Sequence, residues 1–185
     1  LKHPLPVAAD FLGNGAEQVL LAGMSATIAV VESGGDPIWH TGMFSGSPKR
    51  TMQGVGDFDG DGDLDLLSVG HCNGAGSELQ VFEASTGDLR WSMGLGAVCG
   101  SWMVPTHVVT VDLDGDGRDE ALFTYGNVLY AIGENDGVGH LAWKATFAPD
   151  SWGALLGELS IADVDGTGRP HVLVNTQSGH LHGIG

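Results

Sequence analysis

Short apolar runs separated by turns rich in Gly and Asp make up most of this chain. Residues 79–83 alternate apolar and polar side chains, which is typical of a half-buried strand. No segment of useful length has a helical period. The pattern therefore predicts an all-β fold, with strands at 5–9, 19–22, 27–31, 37–40, 52–56, 64–69, 79–83, 89–92, 107–111, 121–125, 128–132, 141–144, 159–162, 171–174 and 180–184.

Two markers group these strands into repeats. The first is an acidic, Gly-containing run that starts at residues 10, 57, 112 and 163, with spacings of 57 − 10 = 47, 112 − 57 = 55 and 163 − 112 = 51 residues. The second is Gly-x-x-x-Trp, which places Trp39, Trp91 and Trp143 at intervals of 52 residues (91 − 39 and 143 − 91). A period near fifty residues indicates a propeller or an array.

The repeats predict the architecture. Each has one strand before the acidic run, one after it, one central strand and one that carries Trp, which is the size of an antiparallel propeller blade. We expect a single β-propeller region over 1–185, with about four four-stranded blades at 1–46, 47–98, 99–149 and 150–185. The last repeat stops before its Trp strand, and we expect the chain to be a segment of a larger propeller.

The acidic runs have the chemistry of a calcium site. In residues 57–65, acids fall at positions 1, 3, 5, 7 and 9 and glycines at positions 4 and 6. Calcium takes several oxygen ligands, and glycine lets the backbone turn tightly so that a carbonyl oxygen also reaches the ion. An EF-hand would need Glu at position 12 and flanking helices, but Ser68 and Phe123 occupy that position and strands follow.

These repeats resemble the FG-GAP/VCBS repeats of integrin α-subunits and secreted bacterial proteins, in which Asp-rich loops bind calcium on propeller blades. The resemblance implies Ca²⁺ as the cofactor, with Asp63 and Arg118 ligating through their carbonyl oxygens. Thr167 and His171 depart from the pattern in the fourth run, as do Leu12 and Gln18 in the first. The candidate metal residues are Asp57, Asp59, Asp61, Asp63, Asp65, Asp112, Asp114, Asp116, Arg118, Glu120, Asp163, Asp165 and Thr167.

Charge and cysteine content bear on the partners of the protein and on the compartment in which it works. With 7 Lys plus Arg against 23 Asp plus Glu, the net charge is −16, which argues against nucleic acid and anionic membranes as partners. No segment is long and apolar enough to span a membrane. Cys72 and Cys99 leave two alternatives open, a disulfide in an oxidising compartment or two buried thiols. Weak calcium sites work only where calcium is plentiful, so we expect an extracellular or cell-surface protein.

The sequence leaves more than one function open. We expect a calcium-stabilised extracellular module that recognises protein or glycan ligands through its loop face or assembles with neighbouring subunits. The alternative is part of a secreted polysaccharide lyase of the rhamnogalacturonan type, for which His71, His107 or Tyr125 could act as the base. Ser101-Trp102 and Ser151-Trp152 fit either stacking on sugars or wedging between blades. His180 and His182 fit either a two-ligand site or a polar strand face.

Overall fold

The computed structural model of the protein describes residues 6–23, 27–42, 51–70, 77–95, 107–147, 156–176 and 179–184. The regular structure in these ranges is entirely β, in fifteen strands that form four antiparallel sheets. Each sheet joins consecutive strands in chain order, and we call the sheets blades 1 to 4. The prediction of an all-β propeller with about four blades is confirmed, and the fourth blade has three strands among the described residues.

Blades 1 and 2 each have four strands. Blade 1 contains β1 (Val7–Ala9), β2 (Gln18–Gly23), β3 (Thr27–Val31) and β4 (Pro37–Gly42). Blade 2 contains β5 (Thr51–Gly56), β6 (Asp65–Gly70), β7 (Glu78–Glu83) and β8 (Leu89–Gly94).

Blades 3 and 4 continue the same plan. Blade 3 contains β9 (Val109–Val111), β10 (Glu120–Tyr125), β11 (Val128–Asn135) and β12 (Val138–Thr146). Blade 4 contains β13 (Leu156–Ala162), β14 (His171–Thr176) and β15 (Leu181–Ile184). None of the described residues forms a helix that is long and apolar enough to cross a membrane.

The hydrophobic core lies between successive blades. One cluster, which includes Phe11, Leu20 and Leu66, joins blade 1 to blade 2. The next joins blade 2 to blade 3, and a third joins blade 3 to blade 4 through residues such as Leu122 and Val172. Because side chains alternate along a strand, Leu66 faces blade 1 while its neighbour Leu67 faces blade 3. A sheet packed on both faces explains why β6 and β10 are buried throughout.

Two tryptophans of the Gly-x-x-x-Trp pattern form joints with the next blade among the described residues. The Trp39 side chain lies over Gly87, where an added Cβ would come within 2.5 Å of the ring, and its Nε1 donates to the Ala84 carbonyl oxygen at 2.9 Å. Trp91 lies over Gly139 in the same way, with 2.2 Å from an added Cβ to the ring. We call these contacts the Trp–Gly joints. They require glycine because the indole occupies the space of a side chain.

A β-bulge precedes the tryptophan in three blades. Val30 pairs with Trp39 and Val31 pairs with Pro37, so Ile38, which lies between these two partners, has no paired residue on β3. The pairings on β7–β8 and β11–β12 skip one residue at the same place. The bulged residues are therefore Ile38, Arg90 and Ala142, each directly before its Trp. A bulge bends the strand and redirects the side chain that it carries.

Some of the predicted features fall on residues that the structure does not describe. They are Cys72, Cys99, His71 and the pairs Ser101-Trp102 and Ser151-Trp152.

Candidate metal centres

The four acidic runs are the loops that connect the first two strands of each blade. We call them loop 1 (10–18), loop 2 (57–65), loop 3 (112–120) and loop 4 (163–171). In every loop the carboxylate at position 1 accepts hydrogen bonds from backbone N–H groups at positions 4 to 6. In loop 2, for example, Asp57 accepts from Gly60 at 2.8 Å and from Gly62 at 2.9 Å. Asp112 and Asp163 accept from the same two positions, and Asp10 accepts from positions 5 and 6.

Glycines at positions 4 and 6 make this loop shape accessible. Gly60 and Gly62 have φ values of 77° and 92°, and the glycines at the same positions in the other loops also have positive φ. Such a backbone strains any L side chain. Loop 1 has the same shape with Leu12 at position 3 and Asn14 at position 5. The later acids of loops 2 and 3 are therefore not needed to form the turn.

Three of the loops bring potential ligand atoms within 4.8 Å of one another. Three of the five predicted residues do so in each of loops 2 and 3, and in loop 4 His171 joins two predicted aspartates. The groups are Asp57, Asp59 and Asp61; Asp112, Asp114 and Glu120; and Asp163, Asp165 and His171.

In loop 2, Asp65 faces a guanidinium group. Its Oδ1 accepts a hydrogen bond from Arg90 at 3.2 Å, and its Oδ2 is buried without a hydrogen-bond partner among the described residues. Burial raises the pKa of Asp65 to about 7, against the opposing effect of Arg90. Arg90 also bonds to Asp59. Burial acts to raise the pKa of Asp59, but the hydrogen bond and charge of Arg90 outweigh it, so that pKa is lowered.

The Arg90 cluster extends beyond the loop. Arg90 Nη1 lies 3.7 Å from Glu83 Oε2, and its Nη2 lies 3.2 Å from Glu134 Oε1 on β11 of blade 3. Glu134 also accepts a hydrogen bond from Trp91 Nε1 across the same joint. One guanidinium therefore contacts acids from the loop, from its own blade and from the next blade.

In loop 3, the acid at position 9 lies inside the ligand group. Glu120 is mostly buried, its Oε2 accepts from the Leu113 N–H at 2.9 Å, and burial raises its pKa. Asp116 Oδ1 accepts from the Arg118 N–H at 2.9 Å. Beside the loop is a cavity of about 260 Å³, which is lined by Leu113, Asp114, Asp116, Arg118, Glu120, Glu134, Asn135, His140, Ala142 and Trp143.

Loops 2 and 3 are hydrogen-bonded to each other. The Asp119 N–H donates to the Asp57 carbonyl oxygen at 2.8 Å, and the Asp57 N–H donates to Asp119 Oδ2 at 3.1 Å. Burial raises the pKa of Asp119. Asp63, at position 7 of loop 2, donates its N–H to Asp61 Oδ1 at 2.9 Å. The two bonds between Asp57 and Asp119 fix the loops side by side at one end of their blades.

Loop 4 has a mixed set of ligand atoms. Thr167 Oγ1 donates to Asp165 Oδ1 at 2.7 Å, and this bond, followed by the Thr167 N–H, lowers the Asp165 pKa. His171 Nε2 lies 3.7 Å from Asp165 Oδ2. His171 departs from the repeat pattern in sequence, but its place at position 9 puts it beside the two aspartates. An open cavity of about 470 Å³ adjoins the loop.

The donor atoms of loops 2 and 3 fit a hard cation. Both groups are composed of carboxylate oxygens, the preferred ligands of Ca²⁺, and the orphaned Oδ2 of Asp65 adds a buried acceptor beside loop 2. The imidazole in loop 4 makes that group less suited to calcium. Acidic groups that could hold a metal ion are thus present in three loops.

The other candidate side chains have different environments. Tyr125 is only 1% exposed in the core between blades 2 and 3, so it cannot contact a polysaccharide. His107 Nε2 lies 3.7 Å from Glu158 Oε1 on the next blade. The His182 ring contacts Phe147, with centroids 4.9 Å apart, and lies 6.5 Å from the ring of His180.

Arg90 and Glu134 are the residues that the sequence analysis missed. Arg90 directly precedes the repeated Trp, where Ile38 and Ala142 stand in the other repeats, so comparison of the repeats at that position would have drawn attention to it. Glu134 has no comparable signal, because it belongs to a different blade from the loop that it serves.

Comparison with known proteins supports the repeat assignment. Residues 57–123, from the start of loop 2 into β10, match the FG-GAP-like repeat family. The resemblance inferred from the acidic runs is confirmed for this part of the chain. A sequence search of curated proteins finds no significant match.

Solved structures share the fold. The exotype rhamnogalacturonan lyase YesX superposes with a TM-score of 0.66 at 19% identity, over 94% of this chain and 39% of the lyase. A Bacillus licheniformis rhamnogalacturonan lyase gives 0.68 at 18%, over 91% and 40%. The V. cholerae biofilm matrix protein Bap1 gives 0.54 at 20%, over 91% and 23%. The chain therefore spans about two fifths or less of these proteins.

Proposed function

We propose that this chain is a calcium-stabilised β-propeller module that works outside the cell, where it recognises a protein or glycan ligand or assembles with neighbouring subunits. One observation carries the proposal. All four loops have the same shape, and three of them also contain clustered metal ligands. Loop 1 has this shape without such a cluster, so the turn itself does not require the extra acids. The extra acids repel one another, and a bound cation offsets that repulsion.

Two further features support the extracellular setting. A structural relative is a biofilm matrix protein, and calcium sites built from exposed loops suit compartments in which calcium is plentiful. The net charge of −16 favours ligands other than nucleic acid or anionic membranes.

Calorimetric melting with calcium and with chelator, together with metal analysis, tests the proposal. Each site at ~100 times its Kd adds about 2.7 kcal/mol to the free energy of unfolding. For a chain of this size, that corresponds to a rise in Tm of roughly 5–10 °C. Unchanged Tm and no bound metal would contradict the proposal.

Asp61→Asn and Asp116→Asn are the sharpest variants for this test. Both retain the side-chain oxygen that accepts the position-7 N–H, as Asn14 does in loop 1, and remove only the charge. Each should reduce the calcium-dependent rise in Tm while changing the Tm in chelator little. Glu32→Gln, an exposed acid in a turn outside the acid loops, is the matched control.

A second candidate is part of a rhamnogalacturonan-lyase-like enzyme. The two lyases with TM-scores of 0.66 and 0.68 favour it. Incubation with rhamnogalacturonan, monitored by the ultraviolet absorbance of the unsaturated product, separates this candidate from a binding module. Calcium-dependent retention on the polysaccharide without product would favour the binding module.

A further inference from the structure

Blades 1 to 3 carry different side chains at one structurally equivalent position. The bulge before each Trp holds Ile38 in blade 1, Arg90 in blade 2 and Ala142 in blade 3. In blades 2 and 3 this position lies beside the acid loop of the same blade.

In blade 2 the bulge directs a cation into the loop. Arg90 bonds to Asp59, which belongs to the ligand group of loop 2, and to Asp65, which the repeat pattern places at the ninth ligand position. A metal ion entering loop 2 has to compete with this guanidinium for Asp59 and meets its positive charge at short range.

In blade 3 the residue at the same position has only a methyl side chain. Ala142 lines the cavity of about 260 Å³ beside loop 3, together with three acids of that loop, Asp114, Asp116 and Glu120. Arg118 also lines this cavity, but its Nη1 donates to the Glu134 carbonyl oxygen at 3.3 Å and its stem lies over Gly60 of loop 2. Glu120, unlike Asp65, remains in its ligand group.

We propose that the bulged residue sets the calcium affinity of the adjacent loop. Arg90 acts as a built-in counter-ion that weakens loop 2, whereas Ala142 leaves loop 3 as the tighter site. The inference rests on the proposed function, because it concerns how calcium is distributed between the loops. The inference is nevertheless distinct from the proposed function, because calcium could bind both loops with equal affinity.

Calorimetric titration of the chelator-stripped protein with calcium chloride tests this inference. Arg90→Gln should tighten loop 2, and Ala142→Arg should weaken loop 3, each about tenfold or more, since one unit charge at hydrogen-bond range outweighs the 1.4 kcal/mol that a tenfold change represents. Asp61→Asn and Asp116→Asn assign each binding step to its loop. Lys144→Gln, an exposed charge two residues beyond Ala142, is the control for altered net charge.

The outcomes separate the two proposals. Absence of calcium binding by the unmodified protein and all variants would overturn the proposed function, and this inference with it. Calcium binding of equal strength at both loops, unaffected by Arg90→Gln and Ala142→Arg, would overturn this inference alone. If Arg90→Gln does not fold because its buried acids lose their partner, Ala142→Arg decides the question by itself.

Discussion

At the residue scale, Asp65 is the most strongly perturbed acid in the described parts of the chain. Burial raises its pKa to about 7 from an ordinary value of 3.8, even with Arg90 at 3.2 Å. A carboxylate in this position loses hydration, and its Oδ2 gains no protein donor in return. Protonation is therefore easier in the folded chain than in the unfolded one.

This perturbation predicts that the metal-free protein becomes more stable on mild acidification. Between pH 3.8 and about 7 the folded chain holds a proton on Asp65 that the unfolded chain releases. The free energy of unfolding should then fall as pH rises through this window, by at most about 1.4 kcal/mol per pH unit. Denaturant unfolding in chelator from pH 5 to pH 8 measures it.

The variant Asp65→Asn should flatten this dependence, because asparagine cannot titrate. Glu32→Gln should leave the pH dependence unchanged. A profile for Asp65→Asn as steep as that of the unmodified protein would assign the effect to other groups, such as Asp119 and Glu120, whose pKa values burial also raises.

At the element scale, the β7–β8 hairpin takes part in two Trp–Gly joints, one with each neighbouring blade. The β7–β8 hairpin holds Trp39 over Gly87 and sends Trp91 to Gly139. Blade 3 makes a tighter turn, in which Asp136 and Gly137 have φ values of 52° and 77°, so Gly139 lies within strand β12. The joint is therefore kept although the turn differs, because the glycine stays four residues before the Trp.

Gly139→Ala should destabilise the protein by about 1–3 kcal/mol, as expected for overpacking against a buried ring. The added Cβ would lie 2.2 Å from the Trp91 indole, and Gly139 has no positive φ, so the effect is steric. Gly94→Ala, at a strand end with open space around the Cβ, should change stability little. Chemical denaturation and Trp fluorescence measure both; equal stability of the two variants would contradict the joint.

The sequence was informative where the signal lies in local patterns and in their spacing. Alternation in the strands predicted the all-β class because it reflects local backbone needs, and the regular spacing of the Asp/Gly runs and of the tryptophans predicted the propeller. The repeats show that Arg90 is a charged residue where Ile38 and Ala142 stand, but not where its side chain points, because that direction depends on a bulge in the pairing of β7 with β8. Glu134 joins the loop 2 cluster only once blade 3 packs on blade 2. The burial of Tyr125 likewise depends on packing between blades.

At the scale of the whole molecule, charge opposes the compact state. The chain of 185 residues has a net charge of −16. Repulsion between its acids is strongest at the loop end of the blades, where the acidic loops 2 and 3 lie side by side. The apolar contacts between blades have to outweigh this repulsion. Anything that screens or binds the acids should therefore stabilise the fold.

We accordingly expect monovalent salt to raise the Tm of the chelator-stripped protein. Exposed charges are screened over about 10 Å at 0.1 M salt, so most of the gain should occur by roughly that concentration. With calcium bound, the same salt series should give a smaller rise, because fewer uncompensated charges remain. Melting in a sodium chloride series with and without calcium measures this; a Tm independent of salt in chelator would contradict it.

The Trp–Gly joints also give the row of blades a direction. In each, the indole comes from the earlier blade and the glycine from the later one, so the two halves of the contact differ. Contacts of this kind repeat head to tail and close only as a ring. An in-frame tandem duplication of one blade would bring its own glycine and its own Trp. The number of blades in such a propeller can therefore change during evolution without the need for a new type of contact between blades.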